Sequence, residues 1–406
     1  MNPEYRKSRF NYISRSEKGY LIYNCLYNSL SRINEEEYAQ YLNLNMAEEK
    51  LLHAFIEQGI VVRKEIDELQ AYHTYTFLAS KYMKPKPNIT VTPTMECNAR
   101  CFYCYEEGIR YGRMDENCAE KIIEFIKKMD LSRGIQLTWF GGEPLLNQEW
   151  MDYFTSCLKK EEIVFSAFMI SNGSKIDDEV ILKMKQEWNI DSIQITFDGS
   201  CEEYARRKNY TDQDQNIYYR MLQTIKKLSN AGISVQIRLN IDRDNAGSIL
   251  ELVNDLQQVF YKNTNVSYYP SFLTGRKDAL SEREKIDLIK QILEIDKNKL
   301  PVNSYLYRIP KTTACFYYQR GAYSVDINGD VFICERMLGH HDYALGNVKD
   351  KMEPDLEERE LSGRREECQK CVFLPKCQGG CHDALIHGDT SCFIDKYIIK
   401  AYLEIL

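Results

Sequence analysis

Ten of the fourteen cysteines of this chain stand in two spaced groups. The first group reads C-x3-C-x2-C and comprises Cys97, Cys101 and Cys104. The second group occupies the last quarter of the chain and comprises Cys315, Cys334, Cys368, Cys371, Cys377, Cys381 and Cys392. Thiolates at such short spacings select zinc or iron–sulfur clusters. The two groups therefore predict metal centres.

The number of ligands distinguishes the two metals. Structural zinc sites close with four ligands, and neither three nor seven divides into closed sites of four. An iron of a four-iron cluster can take its fourth ligand from a substrate, a cofactor or another residue, so these counts favour iron–sulfur chemistry. A zinc ribbon remains the alternative for the fragment 368–377. The other cysteines fit ordinary core or surface positions, and they are Cys25, Cys118, Cys157 and Cys201.

Composition describes an ordinary globular chain with room for two or three domains. Its 406 residues are 44% hydrophobic and 28% charged. The net charge of -7 argues against a nucleic-acid surface, which needs an excess of Lys and Arg. The amino terminus lacks the apolar core of a signal peptide, and the apolar runs are too short to span a bilayer. We therefore expect a cytoplasmic protein with no membrane partner, in which cysteines bind metals rather than form disulfides.

Strands and helices alternate regularly beyond residue 88. The candidate strands are 89–95, 135–140, 163–170, 191–197, 234–240 and 266–272, and the candidate helices are 115–130, 146–160, 177–187, 215–231, 245–260 and 281–297. This alternation predicts parallel strands joined by crossover helices. Six repeats are too few for a closed eight-stranded barrel, so the pattern favours an open, partial barrel. An open doubly wound sheet is the alternative.

Polar motifs follow the candidate strands one after another. The three-cysteine loop follows the first strand, and the next three strands are followed by Gly141-Gly142-Glu143-Pro144, Ser171-Asn172-Gly173 and Asp198-Gly199. In either architecture, functional groups gather at the carboxyl ends of the strands. Strand alternation also puts Gln194, Thr196 and Asp198 on one face, where polar side chains suit the lining of a cavity.

These motifs resemble those of the radical S-adenosylmethionine (SAM) enzymes. CNARCFYC matches their C-x3-C-x-aromatic-C signature, with Tyr103 as the aromatic residue, and GGEP matches their strand-two motif. The seven later cysteines resemble the SPASM domain, an auxiliary-cluster module of radical peptide-modifying enzymes. The resemblance runs from about residue 88 to 395. It implies an α/β fold with a partial (β/α)6 barrel at 88–298 and a cysteine-rich iron–sulfur domain at 299–406.

The resemblance also implies the cofactors and their ligands. Cys97, Cys101 and Cys104 would hold a [4Fe–4S] cluster whose open iron chelates SAM, and reductive cleavage of SAM would yield a 5′-deoxyadenosyl radical. Gly141 and Gly142 would let the backbone approach the methionine end, and Glu143 would accept from its ammonium group. The other cofactor-binding residues by this analogy are Tyr103, Pro144, Asn172, Asp198 and Arg238. Asp198 could instead act on the substrate.

Two auxiliary [4Fe–4S] clusters follow from the SPASM resemblance, making three clusters in all. It assigns Cys368, Cys371, Cys377 and Cys392 to a distal cluster, and Cys315, Cys334 and Cys381 to a nearer one. The fourth site of the nearer cluster is either open to a substrate thiol or amide, or filled by a non-cysteine residue. The histidines that lie close to these cysteines in sequence are His340, His341, His382 and His387.

The first 85 residues form a separate unit by their pattern. Short β segments at 8–30 precede helical patterns at 34–42, 46–58 and 65–83, and 84–87 (KPKP) is typical of a stiff, exposed linker. Such a small α+β module resembles the winged-helix leader-recognition elements of ribosomal-peptide maturases, which bind a precursor as an added strand. A structural cap on the barrel is the alternative. We expect removal of a recognition module to spare the barrel.

The function predicted from these resemblances is oxidative peptide maturation. The enzyme would install a thioether or carbon–carbon crosslink in a ribosomally synthesised precursor that carries a leader. An external electron donor, flavodoxin or ferredoxin-like, would supply the reducing electron. The alternatives are an anaerobic sulfatase-maturase-like oxidation of Cys or Ser to formylglycine, and a non-catalytic metal-binding or electron-transfer protein.

Overall fold

The computed structural model describes most of the chain, including all ten candidate ligand cysteines. The described residues are 4–82, 86–106, 108, 109, 111–212, 214–273, 279–307, 315–350, 352–354, 366–386, 388 and 392–406. His387 and residues 84 and 85, which figured in the sequence predictions, lie outside these ranges.

The N-terminal module contains two small antiparallel sheets and three helices. Its elements are β1 (Tyr5–Lys7), β2 (Asn11–Ser16), β3 (Gly19–Asn24), β4 (Ser29–Ile33), α1 (Glu35–Leu42), α2 (Glu49–Glu57), β5 (Val61–Arg63) and α3 (Glu68–Tyr82). Strands β2, β3 and β4 form a meander, while β1 pairs with β5. Asn34 and Glu37 start α1 with a reciprocal capping box. The β segments and three helices of the sequence prediction are confirmed.

Six parallel strands and their crossover helices follow. The strands are β6 (Asn88–Val91), β7 (Ile135–Trp139), β8 (Phe165–Ser171), β9 (Ile190–Phe197), β10 (Ser234–Ile241) and β11 (Val266–Phe272). The helices are α4 (Glu116–Ile126), α5 (Gln148–Lys160), α6 (Asp178–Gln186), α7 (Cys201–Lys208), α8 (Ile217–Asn230), α9 (Ala246–Phe260) and α10 (Glu282–Ile295). From β6 to β11 each strand pairs with the next in sequence order. A doubly wound sheet would reverse direction at a switch point, so that alternative is wrong and the partial barrel is confirmed.

The two faces of this sheet differ in polarity. On β9, Ile193, Ile195 and Phe197 are fully buried in the core that the crossover helices share. The alternate positions carry polar side chains, as predicted for Gln194 and Thr196. Parallel register extends the polar face to β10, because Arg238 lies opposite Thr196. The helices therefore cover an apolar outer face, and the polar face lines the interior.

The C-terminal region is joined to the barrel through its sheet. Its elements are α11 (Val302–Leu306), β12 (Ala322–Val325), β13 (Asp330–Phe332), β14 (Gly346–Asn347), α12 (Glu366–Lys370), α13 (Leu374–Cys377), α14 (His382–Ile386) and α15 (Ile394–Ile405). Strand β12 pairs in parallel with β6, and β13 and β14 continue the sheet in antiparallel fashion. The sequence pattern did not predict this extension.

Lys86 and Pro87, the last two residues of the expected linker, pack against the barrel. The Nζ atom of Lys86 donates to Ser166 Oγ at 2.8 Å, and Pro87 is buried. For these two residues the prediction of an exposed linker is wrong. Among the described residues, no helix is long and apolar enough to cross a membrane.

Candidate active site

The three-cysteine loop connects β6 to α4 at the carboxyl end of the first barrel strand. Cys97, Cys101 and Cys104 are half-buried, and none is in a disulfide. The loop begins on backbone that Gly142 approaches closely: its N–H donates to Thr94 O at 3.1 Å. A Cβ at Gly142 would lie 2.4 Å from Glu96 O, so any side chain there would displace the segment leading into Cys97.

Glu143 connects the carboxyl ends of β7 and β8 through hydrogen bonds. Its Oε1 accepts from Ser171 Oγ at 2.8 Å and from Leu145 N at 3.2 Å, and its Oε2 accepts from Asn172 N at 2.8 Å. Burial raises the pKa of Glu143 to about 7. Pro144, also buried, opens the short turn that follows. The structure thus gives Glu143 a structural task, while its contact with a cofactor ammonium stays a prediction.

Asn172 connects the third motif to the cysteine loop. Its Nδ2 donates to Asn98 Oδ1 at 2.9 Å and lies 3.9 Å from Cys97 Sγ. Asn98 in turn donates to Ser174 Oγ at 2.9 Å. The motifs after β7 and β8 therefore both contact the loop that carries the cysteines, as their positions at strand ends predicted.

Asp198 belongs to a buried group of three polar side chains. Its Oδ2 accepts from Tyr103 Oη at 2.6 Å and lies 3.2 Å from Lys208 Nζ, which is 3.1 Å from the same tyrosine oxygen. Burial lowers the pKa of Lys208, but the charges of Asp198 and Tyr103 more than offset this and raise that pKa well above its usual value. Asp198 Oδ1 is buried and has no hydrogen-bond partner among the described residues.

Helix α7 holds the cysteine loop from the other side, and sequence reasoning missed it. The carbonyl of Lys208 accepts from Arg100 N at 2.9 Å. The guanidinium of Arg207 is fully buried, pairs with Asp242 at 2.7 Å, and lies over the Phe102 ring at 4.7 Å. The available signal was a basic run ending a short helix directly after Asp198-Gly199, but such runs usually face solvent and favour the helix C-terminus.

Arg238 lies on the interior face of β10, one strand from Asp198. Its Nε atom is buried and finds no hydrogen-bond partner in the part of the chain that the structure describes. On the same face, Tyr269 donates to Gln194 Oε1 at 2.5 Å. Among the described residues, the buried polar atoms that the interior offers to a ligand include Asp198 Oδ1 and Arg238 Nε.

The C-terminal cysteines fall into two neighbourhoods. Burial raises the pKa of the Cys334 thiol, and the nearby charges of Cys315 and Cys381 raise it further. Burial likewise raises the pKa of Cys377 to about 12, with Cys371 and Cys392 contributing. Cys368 Sγ lies 3.7 Å from Gly379 O, two residues beyond Cys377. Cys334 is thus influenced by Cys315 and Cys381, and Cys377 by Cys371 and Cys392.

The thiols are not arranged around a single ion. Within the described ranges, no three His, Cys, Asp or Glu side chains are gathered as ligands of one metal ion. Each thiolate of a four-iron cluster binds a different iron, so cluster ligands lie further apart than the ligands of one ion. Assignment of the cysteines to clusters stays a prediction.

The histidines near the nearer set differ in their surroundings. His341 Nδ1 contacts Asp330 Oδ2 at 2.8 Å, and His340 is exposed. The ring of His382 stacks on Tyr317 with centroids 3.7 Å apart, next to Cys381 in sequence. Among the described candidates, His382 is the histidine whose ring stacks beside this set.

Comparison with known proteins identifies the barrel. Residues 91–256 match the family model described as the Radical SAM superfamily. An uncharacterised protein of Methanocaldococcus jannaschii is 26% identical over 70% of this chain and 94% of its own length. The sporulation killing factor maturation protein SkfB of Bacillus subtilis is 27% identical over 40% of this chain and 38% of its own. A probable GTP 3′,8-cyclase of Thermococcus kodakarensis is 23% identical over 43% of this chain, which spans only 55% of that relative.

Two solved folds are similar over most of the chain. Streptococcus suis SuiB bound to precursor peptide SuiA aligns over 97% of this chain and 99% of its own, with 16% identity and a TM-score of 0.54. Native anSMEcpe with bound AdoMet and a Cp18Cys peptide aligns over 79% of this chain and 95% of its own, with 16% identity and a TM-score of 0.60. The barrel of this chain therefore carries the segment that matches the Radical SAM superfamily. Most of the chain shares the fold of SuiB and anSMEcpe.

Proposed function

We propose that this enzyme installs an oxidative crosslink, a thioether or carbon–carbon bond, in a ribosomally synthesised precursor peptide. The observation that carries the proposal is the convergence of three motifs around one half-buried cysteine loop at the carboxyl ends of parallel strands. The loop faces a polar interior, and a second cysteine-rich region is joined to the same sheet through β12. Such an arrangement combines a radical-generating centre with further redox centres in one molecule.

The residues present fit the cofactors of a radical SAM enzyme. Cys97, Cys101 and Cys104 would hold a [4Fe–4S] cluster, which together with SAM supplies a 5′-deoxyadenosyl radical when both are bound. The buried, unpartnered oxygen of Asp198 and nitrogen of Arg238 offer one acceptor and one donor to a polar ligand. The motif at 141–144 and Asn172 would complete the SAM pocket. The ion pair of Lys208 and Asp198 would hold the Tyr103 ring in place beside it.

A peptide substrate suits the N-terminal module. Within the described residues, β2 and β4 each pair on one side only, so each presents an edge to which a leader can add as a strand. The solved structure of SuiB carries the precursor peptide SuiA, and that fold covers nearly the whole of this chain. The similarity to anSMEcpe covers 79% of this chain, and the part that it does not cover is about as long as the N-terminal module.

Oxidation of the peptide needs an electron acceptor. Crosslinking removes two hydrogen atoms: the radical takes one, and the other leaves as a proton and an electron. Two auxiliary [4Fe–4S] clusters, on Cys315, Cys334 and Cys381 and on the four distal cysteines, would accept that electron. An external flavodoxin or ferredoxin-like protein would supply the electron that cleaves SAM.

Formylglycine formation is the second candidate, and the fold of anSMEcpe with its bound peptide favours it. This oxidation converts a single Cys or Ser and needs no leader module. The products distinguish the two reactions. A crosslinked peptide is cyclic and keeps its cysteine sulfur, whereas conversion of Cys to formylglycine removes the sulfur and forms no ring. A non-catalytic metal protein would form neither.

The experiment is anaerobic reconstitution followed by reduction in the presence of SAM and precursor peptides taken from neighbouring reading frames. We expect 5′-deoxyadenosine together with a peptide lighter by two hydrogen atoms and resistant to linear fragmentation at the crosslink. Replacing Cys97, Cys101 and Cys104 by Ala should abolish both products, and Cys157→Ala on α5 should retain them. Absence of 5′-deoxyadenosine from the reconstituted wild type would overturn the enzyme proposal.

A further inference from the structure

The N-terminal module packs directly on the segment that carries the distal cysteines. The rings of Tyr12 and Phe373 lie 5.1 Å apart, and Tyr72 Oη donates to Leu374 O at 3.4 Å. Arg9 donates to Gln369 O at 2.6 Å, between Cys368 and Cys371. Three parts of the module therefore cover one short stretch of the cysteine-rich region, and apolar as well as polar contacts hold them there.

Cys25 is the module's thiol at this contact. It follows β3, is fully buried, and its N–H donates to Phe10 O at 3.0 Å. It shares one apolar core with Tyr23, Phe373 and Leu374, and Cys368, Cys371 and Cys392 pack against that core. Tyr23 and Asn28, which lie on either side of Cys25 in sequence, both contact Lys376, so Cys25 lies in the part of the module that faces the distal segment.

Lys376, in the cysteine-rich region, contacts the N-terminal module close to Cys25. This residue, 1% exposed, precedes Cys377 and donates from Nζ to Asn28 Oδ1 of the module and to Leu306 O at 2.9 Å. Its ammonium also lies 5.6 Å from the centre of the Tyr23 ring. A buried cation is tolerated only where its hydrogen bonds are satisfied, so loss of the module would leave Lys376 poorly paired next to a cluster ligand.

We propose that the distal auxiliary cluster is housed between two domains, and that Cys25 is a positioning residue that closes its side facing the N-terminal module. The inference rests on the proposed auxiliary clusters and goes beyond leader recognition. Cluster and module then stabilise each other, because the contacts that order β3 also exclude water from the distal thiolates. Groups that surround metal ligands in this way commonly change metal retention by about 10- to 100-fold.

The test compares Cys25→Ala with Cys118→Ala. Both cysteines are fully buried, so each substitution deletes one buried sulfur atom, but Cys118 lies on α4 of the barrel and none of the groups acting on it is a cysteine. Reconstituted proteins are exposed to a ferrous chelator, and iron release is followed with electron paramagnetic resonance of each cluster. We expect distal iron to leave about tenfold faster in Cys25→Ala and at the wild-type rate in Cys118→Ala.

A second measurement needs no change in the module. Hydrogen exchange at β3 is compared between wild type and a Cys371→Ala, Cys377→Ala variant, both reconstituted. Faster exchange at β3 without the distal cluster supports the coupling. Equal release from the two single variants, or unchanged exchange at β3, would overturn it. A wild type that never binds distal iron would instead contradict the proposed cluster count.

Discussion

Removal of the buried Lys208 ammonium tests the polar group that anchors the cysteine loop. Lys208 Nζ lies 3.2 Å from Asp198 Oδ2, and the two side chains are 4% and 0% exposed. At that distance the attraction is about 5 kcal/mol for an effective dielectric constant of about 20. Lys208→Met removes it and leaves a buried carboxylate with Tyr103 as its remaining partner. Because breaking a buried pair strands the other charge, we expect the free energy of unfolding to fall by about 3 to 5 kcal/mol.

The control is the exposed pair of Lys175 and Asp212. Its N–O distance is 3.3 Å, close to that of the buried pair, but its side chains are 37% and 38% exposed. Lys175→Met should therefore cost less than about 1 kcal/mol. Urea unfolding under anaerobic conditions measures both variants. Adding Asp198→Asn to Lys208→Met should recover part of the loss, because the stranded charge is then removed as well.

Two outcomes would refute this reasoning about the buried pair. A loss for Lys208→Met no larger than that of Lys175→Met would mean that water or another group compensates Asp198. A double variant no more stable than Lys208→Met alone would mean that packing of the lysine stem, rather than charge, dominates. A 5′-deoxyadenosine assay on the same samples shows whether the loosened Tyr103 loop also slows SAM cleavage.

Three further predictions follow from the site and the module. Gly142→Ala should lose the first cluster's iron and SAM cleavage, because its Cβ would lie 2.4 Å from Glu96 O; normal iron content would contradict this. Burial raises the pKa of Glu143 from 4.5 to about 7, so between these pH values the folded state keeps a proton that the unfolded state releases. The stabilisation that this proton gives to the folded state is fully present below pH 4.5 and is lost as pH rises through about 7. Glu143→Gln should remove that slope, worth about 3 kcal/mol, from urea unfolding measured between pH 5 and 8. Deleting residues 1–82 should spare SAM cleavage but lose distal iron, about four of twelve atoms by analysis of the reconstituted protein; retention of all iron would mean that the module only recognises peptide.

The local sequence pattern was sufficient to predict the barrel and the order of its motifs along the chain. Six strands appear in the predicted order because alternation of apolar and polar residues depends only on neighbours along the chain. The cysteine loop and the motifs at 141–144, 171–173 and 198–199 come together because parallel strands bring their carboxyl ends to one edge. Residue type and position at strand ends therefore predicted the four converging motifs, while the role of Asn172 in binding a cofactor stays a prediction.

Tertiary structure alone decided which distant residues meet. Periodicity identifies a buried face but not its partner. The pairing of β12 with β6 and the contact of Tyr12 with Phe373 therefore left no mark on the sequence pattern. The basic run at the end of α7 looked like a solvated helix end, yet the fold buries Lys208 because Asp198 and Tyr103 satisfy its charge. Likewise Lys86 and Pro87 had the composition of a linker, and only packing against the barrel made them part of its surface.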